Sequence, residues 1–160
     1  MSEAYLDIET TGLSPGNNEI AVVGIYLHNA TEDKFVQLVG DKITAVSLLQ
    51  ALDGVDTVYT YNGSRFDLPF IHVRHKVNLA SEFEHCDLMY HCWRHRLYGG
   101  LKSVERQLGI YWRLKEVNGY EAVRLWWKYV NHYDTDALAT LLEYNREDVV
   151  NLRAVRDRLL

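Results

Sequence analysis

Disulfides, membrane spans and an excess of positive charge are all missing from this sequence, and each absence narrows what the chain can be. Cys86 and Cys92 are its two cysteines, with five residues between them in a stretch expected to be helical. Two thiols make no disulfide framework, so both are expected to be reduced. The longest apolar stretches, such as Ile20 to Leu27, fall far short of the ~20 residues that cross a bilayer. The opening Met1-Ser2-Glu3-Ala4 has neither a basic nor an apolar leader segment. No signal peptide, no membrane contact and a cytoplasmic location are therefore expected. Repeats, low-complexity tracts and linkers are also absent. The 160 residues are expected to form one domain, 1–160.

Lysine and arginine number 17 against 22 acidic residues, a net charge of −5. That balance speaks against a broad phosphate-binding surface. The objection weakens if carboxylates are gathered on metal ions, because two divalent cations would bring about four positive charges to where a phosphate sits. The bland reading of the same acidity is an ordinary soluble protein.

Along the chain, Ala4 to Ile8 reads as a short buried strand, followed by a turn-rich Gly12 to Asn18. Glu19 to His28 and Lys34 to Val39 read as two more strands joined by a polar turn, an antiparallel meander. Ile43 to Leu52 has helical spacing, and Asp56 to Tyr61 is a fourth strand rich in β-branched and aromatic residues. Helical patterns cover Leu68 to Lys76, Asp87 to Leu97, Leu101 to Leu108, Tyr120 to Asn131 and Thr135 onward. His75 to Glu84 and Tyr111 to Asn118 are the expected loops. The order predicts an α/β fold with a mixed sheet flanked by helices.

Three segments carry possible chemistry. In Leu6-Asp7-Ile8-Glu9-Thr10, two carboxylates two residues apart share one face of a strand. On a central apolar strand they need partners or metals; on an edge strand they would simply be solvated. In Tyr61-Asn62-Gly63-Ser64-Arg65-Phe66-Asp67-Leu68-Pro69, Asp67 lies where a strand gives way to a helix, and a helix N-cap is the plain alternative to a ligand. In Tyr144-Asn145-Arg146-Glu147-Asp148, Tyr144 and Asp148 share a helix face beside the apolar one. The plain alternative there is solvated acids paired to Arg146 or Arg153.

Together, in this order and at these element boundaries, the three segments resemble the motifs of the DEDD exonucleases. The first matches D-x-E. The second is similar to the N-x-x-x-F-D form found in proofreading domains of family B DNA polymerases. The third matches the Y-x-x-x-D of the DEDDy subgroup. Gly100 to Ile110 and Asn145 to Val149 are similar to stand-alone RNase H-like exonucleases. The resemblance covers nearly the whole chain and implies an RNase H-like fold, with an antiparallel meander plus a parallel strand.

It also implies a 3′→5′ exonuclease that hydrolyses phosphodiester bonds at single-stranded ends, with DNA favoured. Two divalent cations, Mg²⁺ or Mn²⁺, suit the oxygen-only ligand set. Asp7 would bridge both, Glu9 and Asp148 would help hold the ion that activates water, and Asp67 would hold the other. Tyr144 would orient the attacking water, since an ordinary tyrosine is a poor base at neutral pH. Thr10 and Leu13 are expected at the terminal nucleotide, with Asn62 and Phe66 lining the same groove. Arg65, Lys102 and Arg146 are candidates for phosphates.

Other readings stand beside this one: an RNA-trimming enzyme, a structure-specific endonuclease, and a non-catalytic nucleic-acid-binding module in a DNA-repair assembly with a protein partner. Two further clusters favour structural roles. His85, Cys86, His91, Cys92 and His95 lack a paired second half for zinc. Trp126, Trp127, Tyr129 and Tyr133 read as an aromatic helix face on the core before a base-stacking platform.

Overall fold

A computed structural model, describing residues 2–111 and 117–160, contains one mixed sheet of five strands. β1 (Glu3–Thr10), β2 (Ile20–His28) and β3 (Asp33–Val39) are antiparallel neighbours. Between β2 and β3 the Asn29 side chain closes the turn, accepting from the backbone N–H groups of Thr31 and Glu32. β4 (Thr57–Thr60) runs parallel to β1, and β5 (Glu84–Asp87) runs parallel to β4. The order is β3-β2-β1-β4-β5, which makes β1 the central strand. Its acids therefore do not sit on a solvated edge.

Among the described residues the α-helices are α1 (Ala45–Ala51), α2 (Asp67–His75), α3 (Leu79–Glu82), α4 (Leu88–Arg94), α5 (Leu101–Gln107), α6 (Gly119–His132) and α7 (Thr135–Leu159). Thr44 and Ser47 form a reciprocal capping box at the start of α1. The alternation of β1 sorts them into layers. Ala4, Leu6 and Ile8 pack with Leu48 of α1, Leu52 just past its end and Ile71 of α2. Tyr5 points to the other face, with Leu88 and Cys92 of α4 and Val149, Leu152 and Val155 of α7. Asp7 and Glu9 follow Tyr5 on that second face.

The region between His75 and Leu97 differs from expectation. The loop expected over His75–Glu84 contains α3. The helix expected from Asp87 begins at Leu88 and ends at Arg94, and β5 precedes it. The strand Glu-His-Cys-Asp carries no apolar alternation, because it is a short edge strand held by backbone pairing to Thr57–Thr60. Cys86 accordingly lies in β5, while Cys92 is buried in α4. The loop expected over Tyr111–Asn118 falls largely outside the described residues. The other elements lie within two residues of their expected ends.

α7 is the helix that crosses the acid-bearing face. Leu141, Val149, Leu152 and Val155 are fully buried, and so is the polar Asn145 in the same stripe. Asn145 Nδ2 donates to the main-chain carbonyl of Asp7 at 3.3 Å, and its Oδ1 accepts from Gln37 Nε2 at 3.0 Å. This close approach depends on Gly24, which sits opposite Asp7 on β2. A Cβ there would stand 2.1 Å from Asn145 Oδ1 and 2.9 Å from Val149 Cγ2. Both neighbours are buried and cannot swing into solvent. Gly24→Ala is expected to destabilise the fold by roughly 1–3 kcal/mol, a fall in Tm of about 3–10 °C by calorimetry. Adding Asn145→Ala should recover part of that loss; independent, additive losses would disprove the steric coupling.

Candidate active site

The site is built at the C-terminal end of β1. The ladder between β1 and β4 ends at Tyr5–Tyr59, so the β1 edge runs on without a neighbouring strand. Asp67 takes up this edge: its Oδ2 accepts from the Ile8 N–H at 3.2 Å. Asp67 is the first helical residue of α2, and the N-cap place belongs to Phe66, which makes no side-chain cap bond. The carboxylate is thus turned toward β1 instead of capping its own helix. Pro69 lies in the first turn, where a missing N–H leaves no helical bond unmade.

The turn leading into α2 is held from a distance. Asp87, at the end of β5, accepts from the N–H of Asn62 at 2.8 Å, from the N–H of Ser64 at 3.2 Å and from Ser64 Oγ at 2.6 Å. It also accepts from Met89 N–H as the N-cap of α4. Asn62 takes the left-handed conformation (φ 61°) that Asn tolerates. Asp87 and Asn145 are therefore supports of the site that motif spacing does not announce. Asn145 could have been noticed as a polar residue at an apolar position of α7.

From α7, Asp148 and Tyr144 face the end of β1. Ligand oxygens of Asp7, Glu9 and Asp148 all lie within 4.8 Å of one another. Among the described residues this is the group of acids, histidines or cysteines whose donor atoms converge enough to hold a metal ion. Asp67 stands at the margin of the cluster. The histidines and cysteines do not gather: His85 Nε2 instead bonds Thr60 Oγ1 at 2.8 Å. Asp148 does not pair with arginine either. Arg146 lies over the Phe35 ring and Arg153 bonds Tyr26, while Lys102 Nζ of α5 donates to Asp148 Oδ1. The same ammonium is 3.6 Å from Glu105 Oε2 and 5.3 Å from the centre of the Tyr144 ring.

The electrostatics follow from this crowding. Burial, then the charges of its neighbours Glu9, Asp148 and Asp67, holds the Asp7 carboxyl well above the usual range. Burial and Asp148 do the same to Glu9. Burial pushes Asp67 up to about 7, against the lowering effect of the Ile8 N–H. Asp148 is also raised by burial, although Lys102 opposes it. Glu105, fully buried beside the Lys102 ammonium, is raised by burial to about 7, against the lowering effect of Lys102. Burial works against the charge of Lys102, but Asp148 and Glu105 outweigh it and its pKa rises. Burial followed by the carboxylates of Asp148, Glu9 and Asp7 pushes the Tyr144 hydroxyl far upward, so it stays protonated.

Next to the acids lies a groove of about 460 Å³, lined by Glu9, Thr10, Leu13, Phe66, Tyr120 and Val123 among others. Leu13 is 84% exposed at its rim. Thr10 Oγ1 donates to the Gly12 carbonyl, and Phe66 packs on Phe70. Asn62 Oδ1 is buried without a hydrogen-bond partner. Arg65 points elsewhere, its guanidinium over the Tyr90 and Trp93 rings of α4 at 5.8 and 5.4 Å. Of the expected substrate contacts, Thr10, Leu13 and Phe66 come together at the groove and Lys102 joins the acids.

A carboxylate raised in the folded state binds protons that the unfolded chain releases, so stability falls as pH climbs from about 4 to about 7 and the full penalty remains above that. A dication bound by the acids removes the repulsion and competes with those protons. In EDTA the Tm is expected to drop steadily between pH 5 and pH 8. Saturating Mg²⁺ or Mn²⁺ should restore about 5–10 °C at pH 8 and little at pH 5. A Tm independent of both pH and cation would contradict this electrostatic picture.

A family profile described as RNase_H superfamily matches residues 4–160. The uncharacterized protein YprB of Bacillus subtilis (strain 168) is 31% identical over 164 residues, covering 92% of this chain and 39% of its own. This chain thus spans well under half of that relative. The fold is similar to that of the family B DNA polymerase from Pyrobaculum calidifontis (TM-score 0.72, 16% identity), over 99% of this chain and 24% of the polymerase. It is similar to an apo form of a nuclease (TM-score 0.63, 22% identity), over 99% of this chain and 70% of that one. Product-bound exonuclease I matches at a TM-score of 0.50 and 16% identity, over 80% of this chain and 43% of its own. With a profile match running almost from end to end, and a sheet and helix arrangement shared with nucleases, the chain belongs to the RNase_H superfamily.

Proposed function

We propose that this chain is a metal-dependent 3′→5′ exonuclease that removes nucleotides from single-stranded ends, with DNA favoured. The observation that carries the reading is the convergence of Asp7, Glu9 and Asp148 within 4.8 Å, on a buried central strand and its crossing helix. Carboxylates held this close repel one another unless a cation joins them, and an all-oxygen donor set suits Mg²⁺ or Mn²⁺. When bound, two such cations neutralise phosphate charge, lower the pKa of water and stabilise the departing oxygen.

Asp7, Glu9 and Asp148 would hold the cations, with Asp67 contributing the oxygen turned away from Ile8. Tyr144 stays a neutral hydroxyl, so it orients the attacking water and does not remove its proton. Lys102, kept charged by Asp148 and Glu105, complements a phosphate oxygen. Leu13 and Phe66 border a groove wide enough for the terminal base. The 3′→5′ polarity rests on the Tyr-x-x-x-Asp spacing of Tyr144 and Asp148 and on the likeness to DEDD exonucleases.

The test is digestion of 5′-labelled single-stranded DNA and RNA of one sequence, with Mg²⁺, Mn²⁺ or EDTA. A ladder shortening from the 3′ end, lost in EDTA, is expected. Asp7→Asn should reduce the rate by about 10²–10³-fold or more. Tyr144→Phe should cost less, up to about 10²-fold, and leave the pH–rate profile unmoved. Faster digestion of RNA would reassign the substrate. Binding without cleavage would instead make the chain a nucleic-acid-binding module.

A further inference from the structure

The aromatic stretch of α6 divides in a way that bears on substrate length. Trp126 is buried in the core with Tyr129 packed against it, as expected of an aromatic helix face. Tyr120 and Trp127 are not: they are 83% and 41% exposed. They belong to a stripe at helical spacing, Tyr120, Val123, Arg124, Trp127, Lys128 and Asn131, which with His132 lines a surface groove of about 350 Å³. Tyr120 and Val123 also line the groove beside Glu9 and Leu13. The two grooves therefore adjoin at these two residues, and the stripe leads away from the groove beside Glu9 along α6.

We infer that this face of α6 carries the single strand immediately 5′ of the terminal nucleotide. The inference rests on the exonuclease reading and adds where the rest of the polymer lies. Three features match that occupant. Aromatic faces at Tyr120 and Trp127 offer stacking surfaces that any base can use. Between and beyond them, Arg124, Lys128 and His132 supply donors to phosphates on an otherwise acidic chain. From Tyr120 to Asn131 the stripe measures ~16 Å at 1.5 Å per residue, room for about five nucleotides of stacked strand. Arg124 is engaged by Glu121 in an exposed pair at 2.9 Å, which a phosphate can displace because both groups remain in water.

The consequence is a dependence on chain length. Affinity should rise with each added nucleotide until the strand covers the stripe, at about six nucleotides in all. Trp127→Ala should raise the KM for a labelled oligothymidylate of about ten nucleotides by roughly 5–100-fold while leaving cleavage of a thymidine dinucleotide unchanged. Lys128→Glu should weaken binding of the same oligonucleotide and lower its salt dependence by about one phosphate contact.

The same fluorescein-labelled oligonucleotide is also to be titrated by anisotropy in EDTA, where no cleavage can occur. Weaker binding by both variants supports the inference whether or not the wild type cuts. Binding equal to the wild type in both variants overturns it, and so does an equal loss on dinucleotide and oligonucleotide. A wild type that binds through α6 but never cuts would defeat the exonuclease reading and leave this strand path standing.

Discussion

Three carboxylates forced together at the end of a buried strand are the constraint around which this molecule is arranged. Asp7 and Glu9 cannot separate, because successive same-face positions of a strand are fixed by its pleat. Asp148 cannot withdraw either, because its helix is pinned across the sheet by Leu141, Val149 and Leu152. Gly24 and Asn145 bring that helix to within hydrogen-bonding reach of the Asp7 main chain. The hydrophobic packing of α7 thus holds the acids against their repulsion, and burial, with that repulsion added to it, raises the Asp7 and Glu9 carboxyls out of their usual range. Lys102 relieves part of it with one positive charge, and a pair of dications would relieve the rest.

The same constraint would reconcile an acidic chain with the proposed polyanionic substrate. A net charge of −5 would repel nucleic acid if the charges were evenly spread. Here the acids most hostile to phosphate are those that cations would cover, and the exposed face of α6 gathers Arg124, Lys128 and His132. On the proposed strand path, attraction and chemistry would come from different surfaces that meet at Tyr120 and Val123.

Much of this was legible in the sequence, and what escaped has physical reasons. The strands of the meander, the fourth strand and the late helices follow from residue type and hydrophobic period, while the parallel pairing of the fourth strand came from the family resemblance. Asp7, Glu9 and Asp148 were legible because strand and helix periods dictate which side chains share a face. β5 escaped because a short edge strand is held by its backbone, and Glu84-His85-Cys86-Asp87 carries no apolar alternation. Asp87 escaped with it: the residue reads as an ordinary helix cap, and its grip on the Asn62–Ser64 turn is a tertiary fact. Phe66 displaced Asp67 from the N-cap place because the unpaired edge of β1 competes for that carboxylate. Arg65 reads as a phosphate contact in sequence but stacks on Tyr90 and Trp93, which only folding brings beside it.

The central claim is that the acids at the end of β1 hold divalent cations. Anomalous scattering from crystals soaked in a manganese salt tests it without relying on catalysis. Mn²⁺ peaks bounded by Asp7, Glu9 and Asp148, with Lys102 displaced from Asp148, are the predicted result. A saturated crystal with no Mn²⁺ among these carboxylates, and Lys102 still bonded to Asp148, would contradict the account.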